Sequence, residues 1–193
     1  SNSHRTSSLL RKPARRKGLA PACGKLQSRG MAMPYPLPDW NQLATLDDAR
    51  LPLLATALLI ARDEYPDLDP DLYDTLLHSH AEALRDEVEA IDSWPLKMQA
   101  INHHLFDELG YSGNHDEYYD PRNSYLNEVC ERRLGNPISL AMVQIDVARR
   151  LGVPLDGVSF PGHFLVRLPV GDSLLVMDPF NRGRPLDEDE LRE

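Results

Sequence analysis

The chain is poor in cysteine, and the two it has, Cys23 and Cys130, form no CxxC pair. That excludes a disulfide scaffold and a cysteine zinc ribbon, so reduced thiols in a cytoplasmic protein are the expectation. Buried free cysteine is commonly a small hydrophobe, and Cys130 is read either so or as a displaced nucleophile. Long apolar runs are lacking too: the longest, LPLLATALLIA at 51–61, falls far short of the roughly 20 residues a membrane helix needs, and reads as a core helix. His78 and His80 are two apart and His103 and His104 adjacent, so neither pair has the i, i+4 spacing that puts two ligands on one helix face. No metal and no cofactor is expected. Residues 1–30 hold eight Lys and Arg but no acid, which leaves thirteen basic against thirty acidic side chains in the rest, a net of −17. A body of that sign excludes nucleic acid as its partner.

What is present divides the chain. Residues 1–33 lack aromatics and periodicity and read as a disordered basic extension, without the apolar segment of a secretory signal. The working protein is expected to start at Met31 or Met33. Residues 34–110 read as a helical subdomain. Leu53, Leu54, Ala57, Leu58 and Ala61 recur at helical spacing until Tyr65-Pro66. A second helix starts near Asp69-Pro70, and a third runs from about Leu96 to Gly110. Residues 110–121, GYSGNHDEYYDP, are a loop of a length that is often functional, followed by the helix SYLNEVCERR, which Gly135 closes. Tyr118, Tyr119, Asp120, Arg122 and Asn123 are its candidate substrate contacts. Asp120 serves equally as a helix cap with Pro121 at the first position.

Residues 135–180 hold a helix and then a hairpin. HFLVRL at 163–168 and SLLVMD at 173–178 are short, β-rich and joined by Pro169 to Asp172. A turn centred on Val170-Gly171 places His163 directly opposite Asp178, close enough for a carboxylate to accept an imidazole N–H. Phe164, Val166, Leu168, Leu175 and Met177 share one face; His163, Leu165, Val176 and Asp178 share the other. The pair is either half of a catalytic device or a satisfied polar contact at a strand end. At the preceding helix start, Asn136 as N-cap, Pro137 at N1 and Ser139 at N3 make an ordinary first turn. After the hairpin, 181–184 read as a turn, and Leu186–Glu193 as the start of an acid-rich helix that is cut off.

The segments Ala148-Arg149-Arg150-Leu151-Gly152-Val153-Pro154, Gly162-His163-Phe164-Leu165-Val166 and Val176-Met177-Asp178-Pro179 together resemble the core of the transglutaminase-like superfamily, related in architecture to papain-type cysteine peptidases. The resemblance implies an α+β fold: an N-terminal helical subdomain packed on a core, residues 111–193, of a central helix against a small antiparallel sheet, truncated at its C-terminus. It also implies a cysteine, histidine and aspartate triad. His163 and Asp178 match the last two, but the cysteine's place falls on Pro137, and Ser139 is the nearest replacement. A serine there depends on His163 as general base, because a helix dipole activates a thiol but not an alcohol. More narrowly, YYDPRNSYLNEV with Gly135, Pro137 and the His163 motif is similar to a bacterial branch whose core precedes tetratricopeptide repeats. Two readings follow: a binding module for a protein or peptide, with a degenerate triad, or a hydrolase or acyltransferase using Ser139, His163 and Asp178. A third is a regulatory subunit whose acidic body docks a basic protein.

Overall fold

The computed structural model describes residues 37–47, 51–160 and 163–191, all within one compact unit of residues 32–193. Expectations for residues 1–33 and for Cys23 lie outside the described residues.

Four α-helices come first: α1 (Trp40–Leu43), α2 (Leu53–Glu64), α3 (Pro70–Glu89) and α4 (Trp94–Asn102). Their starts follow local chemistry. The Asp39 carboxylate caps α1, and the Asp69 carboxylate accepts from the Asp71 N–H at the start of α3, with Pro70 at N1, where a missing N–H costs nothing. α4 continues as a π-helical turn, His103–Glu108, and Gly110 at φ +80° ends it, as expected. Strand β1 (Ser112–Gly113), in the loop that follows, makes a short parallel bridge with β2 (Leu134–Gly135), which lies beyond the next helix. A 3₁₀ turn, Pro121–Asn123, precedes α5 (Leu126–Arg132). Here expectation and structure differ: Arg133, at φ 59°, caps α5, while Gly135 belongs to β2. The Arg133 guanidinium donates to the Leu109 carbonyl, and its αL backbone satisfies Val129 O, so a non-glycine holds the strained position.

The centre is α6 (Pro137–Arg150). Leu140, Ala141, Val143, Gln144, Ile145, Val147 and Ala148 are all buried, the mark of a helix enclosed on most sides. It packs on α3 and on the strand His163–Val170, and one contiguous apolar cluster extends from Leu54 of α2 to Phe180. Arg150 clamps α3 to α6, with its guanidinium 2.6 Å from both Asp74 and Asp146. Burial at Asp146 pushes its carboxyl upward, against the pull of Arg150.

An antiparallel sheet of order β3 (Asp156–Phe160), β4 (His163–Val170), β5 (Ser173–Asp178), β6 (Arg184–Leu186) covers the other side. The fold is thus α+β, as expected, with two strands more than the hairpin alone. β6 takes Leu186, where the sequence predicts the beginning of a helix, and only turns follow at 187–191. The hairpin register is corrected as well. Val166 faces Met177 and Val170 faces Ser173, so the turn is Gly171-Asp172, one residue later than expected. Gly171 has φ +58°, which a glycine adopts freely, whereas the β-branched Val170 stays in the strand. The change moves the partners by two residues and keeps each side chain on its face: Val166, Leu168 and Met177 are buried and Arg167 is exposed.

Candidate functional site

In the corrected register Asp178 falls opposite Leu165, and His163 pairs with Phe160 of β3. The two side chains therefore meet diagonally rather than face to face, a distance that a long side chain bridges. His163 Nε2 lies 2.9 Å from Asp178 Oδ1, with the imidazole 27% exposed and the carboxylate 5%. The carboxylate is fixed from behind. It accepts the Phe180 N–H (3.0 Å), the Asn181 N–H (3.2 Å) and the Asn181 side-chain amide (2.6 Å). Burial pushes the Asp178 carboxyl up, but the Asn181 side chain and His163 together outweigh it and hold it below its ordinary value. An ionised carboxylate only accepts, so in the neutral ring Nε2 keeps the proton that faces it, and Nδ1 carries the bare lone pair and is turned away from Asp178.

His163 opens onto a cleft of about 400 Å³. The start of α6 (Asn136, Pro137, Ile138) lines one wall, Ser159 and Phe164 another, and Tyr118 to Pro121 a third. Phe180 sits behind as an aromatic hub, its centroid 4.5 Å from His115, 5.6 Å from Tyr118 and 6.3 Å from His163. Tyr119, edge-on to Tyr118 at 5.2 Å, is 93% exposed, and Ile138 is half exposed on the opposite lip.

Ser139 is placed differently. It is 2% exposed and its hydroxyl donates to the Asn123 carbonyl at 2.7 Å. The same oxygen accepts the Asn136 N–H at 3.0 Å, while Asn136 Oδ1 accepts the Ser139 N–H, a complete capping box. A Cβ on Gly135 would lie 2.6 Å from that hydroxyl, so the turn needs glycine there. Ser139 does not line the cleft, and neither does Asn123, which is 1% exposed. Asn123 instead ties the loop together: its amide donates to the carbonyls of Glu117 and Tyr118, and its oxygen accepts from Asn114. Asp120 reaches the cleft but is held by Arg122 at 2.7 Å and by Arg132 at 3.4 Å, and it accepts the Arg122 N–H as cap of the 3₁₀ turn. Arg122 holds the carboxyl of Asp120 low. Of the five expected contacts, Tyr118, Tyr119 and Asp120 face the cleft, and Arg122 and Asn123 do not line it.

The walls from Ser159 and Ile138, and the supports Phe180 and Asn181, were not anticipated. For Asn181 a signal existed, since an Asp with free N–H groups two and three residues on is an Asx turn. Cys130 is buried, and burial pushes its thiol up to about 12, the wrong direction for a nucleophile. No group of three or more His, Cys, Asp or Glu side chains suited to a metal occurs among the described residues, nor is any described helix long and apolar enough to cross a membrane.

A central helix whose start meets a sheet carrying a histidine and an aspartate is the architecture of the transglutaminase-like core. Residues 71–193 match the family model of the transglutaminase-like superfamily, and the chain belongs to that superfamily. It is 77% identical over 157 residues to a UPF0162 protein of Xylella fastidiosa, covering 81% of this chain and 56% of that one. A UPF0162 protein of Pseudomonas aeruginosa is 37% identical over 145 residues, 73% of this chain and 51% of the relative. F-box only protein 21 of Mus musculus matches over 84 residues at 44% identity, 44% of this chain and 13% of its own length. The chain thus spans about half the length of the UPF0162 relatives named here. No solved structure matches it.

Proposed function

We propose that this domain is a protein-binding module with a degenerate triad, holding a protein or peptide segment in the cleft between residues 118–121, the start of α6 and the β3–β4 hairpin. One observation carries the reading. The hydroxyl nearest the family's nucleophile position is sealed in a capping box, while Tyr119 and Ile138 stand exposed at the lips of the cleft. Pro137 occupies the nucleophile's place and supplies no N–H to a developing oxyanion. His163, oriented by the buried Asp178, then shapes the cleft floor. The match to F-box only protein 21 supports a role in protein contacts. The proposal extends, on the resemblance, to tetratricopeptide repeats after the core and, on the scarcity of cysteine, to a cytoplasmic setting.

A second reading, a hydrolase or acyltransferase, is favoured by the 2.9 Å His163–Asp178 contact, which fixes a base with its free nitrogen turned elsewhere. It requires the Ser139 hydroxyl to leave both its partners. Two measurements separate the readings. A photocrosslinking residue at Ile138 is expected to capture a protein partner, and the same residue at the exposed Leu174 of β5 is not. A serine-directed fluorophosphonate is expected to label wild type and Ser139→Ala equally; labelling lost in the variant establishes the enzyme and removes the module.

A further inference from the structure

The two edges of the sheet are unequal. β6 is three residues long and carries Arg184 and Pro185, both of which discourage another strand from pairing. β3 is five residues, DGVSF, without Lys, Arg or Pro, and it ends the sheet. No backbone hydrogen bond joins its outer side to another segment among the described residues. Alternate residues of an antiparallel pair turn their N–H and C=O to the neighbour. Phe160 and His163 flank a two-residue connection and so form a hydrogen-bonded pair, which leaves Gly157 and Ser159 turning theirs to the open edge. Ser159 lines the cleft as well, so the open edge and the cleft are one surface.

The charge of that surface selects its occupant. Among the described residues no Lys or Arg lines the cleft. The nearby guanidiniums of Arg122 and Arg132 are both held by Asp120. Asp116 and Glu117 are exposed beside it in the same loop, and the Tyr119 ring, 93% exposed, is within reach of a cation. Resting on the module reading above, the geometry points to a strand-addition site: an extended segment of a partner protein, bearing Lys or Arg, pairs with the open edge of β3 and lays its cationic side chain among Tyr118, Tyr119, Asp116 and Glu117.

The test uses the full chain and short fluorescein-labelled peptides of alternating valine and threonine, with either arginine or glutamate at the centre. The arginine peptide is expected to raise anisotropy and to slow amide exchange at Gly157 and Ser159 but not at residues 184–186. The glutamate peptide is expected to bind about tenfold or more weakly, the factor that roughly 1.4 kcal/mol of charge and cation–π preference produces. Ser159→Pro, at an outward N–H, is expected to abolish binding while keeping the wild-type circular dichroism; if that variant unfolds, the exchange pattern of the wild type still decides. Equal affinity for both peptides overturns the cationic occupant, and binding without protection of β3 overturns strand addition. Protection of β3 that grows with protein concentration and no peptide assigns the edge to a second copy and overturns the proposal too. Capture from Ile138 without β3 protection leaves the module standing and this inference refuted, whereas loss of both removes the module.

Discussion

The His163–Asp178 pair and the Ser139–Asn136–Asn123 turn lie near the same helix tip, and they spend their hydrogen bonds in opposite ways. In the pair, three N–H groups fix the carboxylate from the buried side, so the imidazole is oriented while one ring nitrogen is turned elsewhere. In the turn the hydroxyl accepts from one backbone group and donates to another, so none of its capacity is directed at the cleft. A polar side chain with a satisfied, buried network holds structure; one fixed on a single side and half open is poised toward a ligand. That difference is why the proposal gives His163 a place in the cleft and leaves Ser139 in the frame.

Three substitutions break or sharpen the comparison. Asn123→Ala strikes the turn hardest, because it strips the amide from two carbonyls and leaves Asn114 without its acceptor. About 3 kcal/mol is the expected loss, read from the urea midpoint with the slope unchanged. Asp178→Asn strikes the pair and is expected to cost about 2 kcal/mol near neutral pH, since a charged acceptor of several N–H groups is removed. Its pH dependence has a definite sign. The folded carboxyl titrates below its ordinary value, so its contribution is fully present above the unfolded carboxyl range, near pH 4, and is lost as the pH falls through the lower folded value. The gap between wild type and Asp178→Asn should therefore shrink in urea titrations below about pH 4; a gap that widens there contradicts the assignment. Ser139→Ala removes a capping hydroxyl and is expected to cost the least of the three, about 1–2 kcal/mol, again by urea unfolding. A cost near zero would mean the capping box is not what holds this serine.

Much of the architecture was legible because local rules decide it. Asp69-Pro70 starts α3, Asn136-Pro137 starts α6 and Gly110 ends the π turn, each by satisfying or dispensing with a terminal backbone group. The helix boundary at Arg133 was not legible, because its left-handed conformation is supported by a contact with Leu109, distant in sequence. Nor was β6, whose three residues pair only because β5 is already in place. The hairpin was readable in its two strands and in its face parity, yet not in its register, where one residue of turn position separates two plausible pairings. At the site, His163 and Asp178 could be paired on paper, but Asn123 could not be told from a ligand contact, since an asparagine in a polar loop carries no mark of burial.

By itself the sequence determined the starts of α3 and α6, the alternating faces of β4 and β5 and the acidic balance of residues 31–193, because each depends on neighbours in the chain or on counting charge. Only the tertiary structure decided which hydroxyl is sealed, which aromatic rings rim the cleft and which sheet edge stays open. Those depend on segments far apart in sequence competing for the same space and the same hydrogen bonds.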